Sequence, residues 1–278
     1  MNGNRARILL LVAPVLFLNW KTNAEGFSET SHPLVLAAEG KLPVIISAPH
    51  GGDQPIPGVA ERKGDALERG PGKFVTARDI GTEKLAMALA DAIEKRMGKR
   101  PYLVVAKFHR KYADANRPAE LAFEDPKAKP AYEAYHAALA RYCQSVQKEY
   151  GRGLLLDVHG QVAATDTIFR GTQNGKTVTL LTQRFGPGAQ NGPKSFFGLL
   201  EAAGCKVYPR DDSKEKSSFT GGHIVMTYGS HTVYAIDAIQ CEFGTEYRTK
   251  EKIKDTAEKV AKAVDDFAKL YLLEDKKH

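Results

Sequence analysis

Along the chain, uninterrupted apolar runs alternate with stretches whose apolar positions recur every three or four residues. Leu42–Ala48 is apolar on both faces and closed by Pro49, which predicts a fully buried strand. In residues 79–97, Leu85, Leu89, Ile93 and Met97 fall four apart, the spacing of an amphipathic helix. Tyr102–Phe108 and Gly153–Val158 predict two more buried strands. Between them, Tyr132, Tyr135, Leu139, Tyr142 and Val146 mark a second helix, and the tyrosine stripe reads as core. Thr167–Arg170 and Thr177–Thr182 flank Asn174-Gly175, the signature of a β-hairpin. A helix is expected over Lys194–Ala203, a short strand at Val207–Tyr208, a polar loop over Asp211–Ser218 and a last strand over Thr232–Cys241. The final helix carries Ile253, Ala257, Val260, Val264, Phe267 and Tyr271 on one face. Such alternation predicts a three-layer α/β/α domain, and the hairpin makes its central sheet mixed.

Composition narrows the class. With 42% hydrophobic and 26% charged residues in 278, the chain can bury a core and is not disordered throughout. No apolar run is long enough for a membrane span of about 20 residues. At the N-terminus, Arg5 and Arg7 precede the short apolar stretch Ile8–Leu18, and Thr22-Asn23-Ala24 supplies small residues for a cut. That pattern describes a secretory signal peptide over residues 1–24 and a secreted or periplasmic protein, which leaves one domain over residues 25–278. Removing it takes away Arg5, Arg7 and Lys21 and lowers the formal charge from +7 to +4. The excess is dispersed along the chain, which argues against a nucleic-acid partner and suits a small anionic substrate. Cys143, Cys205 and Cys241 are too few for a disulfide framework and read as small buried hydrophobes. The number of chains in an assembly is left open.

Several familiar motifs fail. Gly171–Thr177 has one residue too few for a phosphate-binding loop, and it falls in the expected hairpin. No Gly-x-Ser-x-Gly elbow or Gly-x-Gly-x-x-Gly turn occurs. The informative residues stand instead where strands end. The first buried strand runs into Pro49-His50-Gly51-Gly52-Asp53, and the third ends as Asp157-Val158-His159-Gly160. A His beyond the carboxyl end of a buried strand points into the crevice where α/β sheets bind ligands. His50, His159 and one carboxylate leave a fourth position for water, the ligand set of a hydrolytic zinc ion. Asp53 is the expected carboxylate, and Asp157 shares a strand face with His159 and is placed to orient it.

Two further strings complete the set. His109–Pro118 offers Arg110 near a strand end, facing a substrate carbonyl, and Asn116 with Arg117 as a carboxylate clamp. Glu242, closing the last strand, is the expected general base. The loop Phe219–Ile224 brings Gly221 and Gly222, suited to close substrate approach, and His223, a substrate contact or a metal ligand.

Taken in order, Pro49-His50-Gly51-Gly52, Asp114–Pro118, Asp157–Gly160, Asp166–Gly171, Gly221-Gly222 with Tyr228-Gly229, and Gln240-Cys241-Glu242 with Tyr247 resemble the N-formylglutamate amidohydrolase family. The resemblance spans roughly residues 42–250, with Gly160 and His223 standing where that family has Ser and an aromatic. It implies a zinc carboxypeptidase-like fold, with one zinc ion held by His50, His159 and either Asp53 or Asp79. It also implies Glu242 as acid and base, Arg110 on the scissile carbonyl, and Asn116 with Arg117 on the substrate carboxylate. The expected activity is hydrolysis of an amide bond beside a carboxylate, in a small acidic N-acyl or peptide substrate. The alternatives are a carboxypeptidase or γ-glutamyl hydrolase acting on cell-wall peptides or poly-γ-glutamate, and a non-catalytic zinc- or anion-binding module.

Overall fold

The computed structural model describes residues 32–65 and 74–273, so the expected signal peptide lies outside the described residues. Among the described residues, seven strands form one sheet: β1 (Val35–Ala38), β2 (Val44–Ala48), β3 (Tyr102–Ala106), β4 (Leu154–Gly160), β5 (Ile168–Gly171), β6 (Val207–Tyr208) and β7 (Asp237–Phe243). Their spatial order is β1-β3-β2-β4-β7-β5-β6. The helices are α1 (Thr82–Met97), α2 (Ala119–Ala122), α3 (Lys129–Tyr150), α4 (Thr179–Phe185), α5 (Gly188–Asn191), α6 (Phe196–Ala202), α7 (His223–Tyr228) and α8 (Ile253–Phe267). The central strands β3, β2, β4 and β7 run parallel, which requires helical crossovers and buries both faces. β1 is antiparallel to β3 and β5 is antiparallel to β7, so the sheet is mixed.

The pleat divides each central strand between two cores. Val44, Ile46, Leu103, Val105, Leu154, Leu156, Ile239 and Cys241 face α1, α6 and α8. Ile45, Val104, Leu155 and Ala238 face the opposite way, against Tyr135, Leu139 and Tyr142 of α3 and Ile224, Val225 and Tyr228 of α7. Burying each large apolar side chain contributes about 1.5–3 kcal/mol, and both layers are built from such residues. The α3 face changes character at the carboxyl ends of its strands. Ile45 is followed on that face by Ser47, Leu155 by Asp157 and His159, and Ala238 by Gln240 and Glu242. Neighbouring strands thus turn polar at the same end and face, which places the candidate site there.

Three sequence expectations are corrected. The Asn174-Gly175 segment does not make a hairpin: β5 pairs with β7 and β6, and residues 176–185 are helical. Val178 and Leu181 fall three apart and pack into the α1–α8 core, so helical period wins over the turn signal. The turn is held from a distance, because the buried Glu215 carboxylate accepts from the Thr172 and Asn174 backbone N–H groups and from Arg170. Glu215 belongs to the stretch expected as a plain polar loop. Finally, the glycine loop before Ile224 leads directly into helix α7, and the last strand begins at Asp237 instead of Thr232.

Candidate metal centre and active site

His50 follows β2, His159 lies near the end of β4, and Asp79 stands just ahead of α1. These three bring ligand atoms within 4.8 Å of one another. Asp79 Oδ2 lies 3.5 Å from His50 Nδ1 and 3.4 Å from His159 Nδ1. A tetrahedral ion about 2.1 Å from each ligand separates the ligand atoms by about 3.4 Å, so the residues fit a zinc-sized cation. The burial pattern fits as well. Among the described residues His50 Nδ1 has no hydrogen-bond partner, an orphan of the kind a metal bond satisfies.

Each imidazole is oriented through its other nitrogen. His50 Nε2 bonds Asp114 Oδ1 at 2.6 Å, and His159 Nε2 bonds Asp157 Oδ2 at 2.8 Å. Asp157 in turn accepts from Ser47 Oγ at 2.5 Å. Such carboxylate–imidazole pairs fix which ring nitrogen faces a metal. Asp79 is itself anchored, accepting from the Gly160 backbone N–H at 3.0 Å. Burial opposes its charge, but the close approach of His159 and His50 outweighs burial and holds the carboxyl below the ordinary value. For His159 burial likewise opposes charge, while Asp157, Asp79 and Glu242 together raise its pKa well above the ordinary imidazole value.

Asp53 takes a different place from the one expected. Its side chain is 65% exposed and pairs with Arg78 at 3.0 Å, while Asp79 faces the two histidines. Three residues after His50, the chain has already turned outward along the β3 edge, where Gln54 bridges to Phe108. Proximity in sequence therefore misdirects the choice of carboxylate.

Glu242 lies beside His159 in the β4–β7 ladder and on the same face. It is 7% exposed and accepts from Gln240 Nε2 at 2.7 Å. Burial, reinforced by the Asp79 and Asp157 charges, pushes its carboxyl up to about 7, partly offset by His159. A carboxyl there exchanges a proton near neutrality, which is what general acid–base chemistry requires.

Arg110 is buried beside Asp79, with Nη2 donating to Asp114 at 2.6 Å and Nη1 3.7 Å from Asp79 Oδ1. Its buried Nε has no hydrogen-bond partner among the described residues. Asp114 also accepts from the Asn116 backbone N–H, so this one carboxylate gathers His50, Arg110 and the Asn116 loop. Sequence reasoning quoted Asp114 within its motif but gave it no role. Arg62, 5% exposed, backs the group from behind by donating to the Arg110 carbonyl.

Asn116 is buried between the metal cluster and α7, where its side-chain oxygen accepts from Ile224 N at 2.8 Å. Its amide nitrogen lies 3.3 Å from both Gln240 Oε1 and His159 Nε2. Gly222 makes that packing possible, since a Cβ there would stand 2.4 Å from the Asn116 amide nitrogen. Arg117 is half-buried at the rim, donating to the Asn116 carbonyl. His223 opens α7 and packs edge-on against His136, 5.6 Å between ring centres. His136 is held by the Ala115 carbonyl and Tyr228, and burial pushes its pKa down to about 4. Asn116 and Gly222 thus pack beside His159, while Arg117 and His223 adjoin them in the chain.

No protein-family model and no curated protein matches the chain. Solved structures do. The crystal structure of N-formylglutamate amidohydrolase from Ralstonia eutropha JMP134 superposes with a TM-score of 0.56 at 15% identity, over 85% of this chain and 98% of that one. A gene product of Agrobacterium tumefaciens superposes with a TM-score of 0.51 at 14% identity, over 88% of this chain and 98% of that one. At such identities the likeness speaks for architecture: this chain has the α/β fold of the N-formylglutamate amidohydrolase structure.

Proposed function

We propose that the protein is a metal-dependent hydrolase of an amide bond adjacent to a carboxylate, acting on a small acidic N-acyl or peptide substrate. One observation carries the reading: buried His50 and His159 gather with part-buried Asp79, His50 Nδ1 has no hydrogen-bond partner among the described residues, and the Glu242 carboxyl stands beside His159 in the β4–β7 ladder. A shared fold with an amidohydrolase supports it. A divalent cation held by these three residues, zinc by the chemistry of the donor set, supplies Lewis acidity toward a carbonyl and a water molecule.

The protein's own groups do the rest. Glu242 takes a proton from the attacking water and passes it to the departing amine nitrogen. Arg110 faces the scissile carbonyl and stabilises the negative charge that develops on its oxygen. Arg117 pairs with the substrate carboxylate at the rim, while Asn116 holds the Gly222–His223 wall against the site. A part-buried cation at Arg117, next in the chain to Asn116, favours substrates with a free carboxylate near the cleaved amide. Export by the N-terminal leader directs this activity outside the cytoplasm.

The test is steady-state kinetics on N-acyl acidic amino acids and γ-linked glutamyl peptides, each with and without the free carboxylate. Glu242→Gln should lower kcat by about 10²–10⁴-fold with metal retained. Near-normal turnover in that variant would remove Glu242 as the base, and no hydrolysis of any acidic amide by the metal-loaded protein would leave a binding module.

A further inference from the structure

Arg248 lies in the turn Thr245–Arg248, directly after β7, and has no place in the chemistry above. It is 8% exposed, yet among the described residues its guanidinium donates to backbone carbonyls and not to a carboxylate. Nε donates to the Phe243 carbonyl at 3.0 Å, Nη2 to the Gln161 carbonyl at 3.1 Å, and Nη1 to the Ile80 carbonyl. The three acceptors share one feature. Ile80 follows Asp79, Phe243 follows Glu242, and Gln161 stands two residues after His159. We propose that Arg248 is a positioning residue, a clamp that fixes the mutual spacing of Asp79, His159 and Glu242 by tying together the backbones that carry them.

The surroundings are shaped for that side chain. A Cβ at Gly160 would stand 2.6 Å from the Arg248 guanidinium carbon, so the missing side chain at the end of β4 is what admits the clamp. The Gly160 N–H in turn donates to Asp79 Oδ2, linking the strand end to the candidate ligand. Only a planar fork with several fixed donors can serve three carbonyls from three segments at once, and a lysine ammonium cannot copy it. Metal ligands tolerate displacements of about 0.2 Å, and losing an outer partner typically weakens binding about 10–100-fold. The charge also reaches Asp79 and Glu242 through space, so geometry and electrostatics have to be separated by the choice of variants.

The inference rests on the metal-hydrolase reading, and the experiment separates the two. Full-length wild type, Arg248→Met, Arg248→Lys and Gly160→Ala are compared by Co²⁺ affinity against a chromophoric chelator, the visible Co²⁺ spectrum, and amide hydrogen exchange. Gly160→Ala keeps the charge but displaces the guanidinium. Arg248→Met and Gly160→Ala should each weaken Co²⁺ binding about 10–100-fold, alter the spectrum, and raise exchange together in residues 79–82, 160–163 and 243–246. Arg248→Lys should fall between them and wild type. Unchanged affinity and exchange in Arg248→Met would overturn the clamp. So would wild-type behaviour of Gly160→Ala beside a defective Arg248→Met, since charge alone would then explain the effect. If Arg248→Met does not fold, Arg248→Lys and Gly160→Ala decide on the same readouts. If wild type binds no Co²⁺, the metal reading fails, and exchange still decides the clamp: a concerted rise in the three segments upholds it and unchanged exchange overturns it.

Discussion

Replacing Asp114 by Asn keeps the shape of the side chain and removes its charge. In the native structure that charge faces His50 Nε2 at 2.6 Å and Arg110 Nη2 at 2.6 Å, with Arg62 at 3.7 Å. The side chain is 1% exposed, so water cannot take over. Two consequences follow. Arg110 keeps only the longer contact to Asp79, and removing one partner of a buried pair costs about 3–5 kcal/mol. His50 keeps a hydrogen-bond acceptor but loses the carboxylate that makes its ring a better ligand, which should weaken metal binding about 10–100-fold. The two effects are read separately, by urea denaturation of chelator-treated protein and by competition for Zn²⁺ with an indicator. Stability within about 1 kcal/mol of wild type, together with unchanged Zn²⁺ affinity, would refute the claim that Asp114 organises the site.

Asp79→Asn should abolish or greatly weaken metal binding while Asp53→Asn leaves it near wild type, and the reverse order by metal titration would return the ligand to the loop after His50. Arg117→Ala should mainly raise KM on acidic amides, with Arg117→Lys recovering part of the loss; equal KM values with and without the substrate carboxylate would remove Arg117 from recognition. Asp237, 4% exposed, is pushed up to about 6 by burial, only partly relieved by Ser230 and the Leu181 N–H. Because its folded value lies above the ordinary 3.8, the native state binds the extra proton, and stability falls as pH rises from about 4 to about 6. Above that window the penalty is about 3 kcal/mol, so Asp237→Asn should raise the Tm at pH 8 and change little at pH 4. Equal Tm shifts at both pH values would contradict that assignment.

Much of the architecture was legible because the signals were local and strong. Val44–Ala48 and Tyr102–Ala106 are apolar at nearly every position, as strands covered on both faces must be. The four-residue spacing in α1 and the tyrosine stripe of α3 announced amphipathic helices. His50 and His159 stood out because each ends a buried strand beside a glycine. What escaped notice depends on contacts between distant segments. The 174–175 turn is set by Glu215, about forty residues on, and α7 is too short for a periodic pattern. Asp79 outranks Asp53 only once β2 and β4 are paired and the start of α1 is brought over their ends. Arg248 left no trace at all, since backbone carbonyls have no sequence signature.

The central claim is that hydrolysis depends on a cation held by His50, Asp79 and His159. Its most direct test is to strip the protein with a chelator and titrate Zn²⁺ back while following cleavage of an acidic amide. Activity should rise linearly and level off at one equivalent per chain, and the His50→Ala/His159→Ala protein, still folded, should neither bind zinc nor turn over. Hydrolysis that survives stripping, or full zinc retention in the folded double variant, would contradict the account.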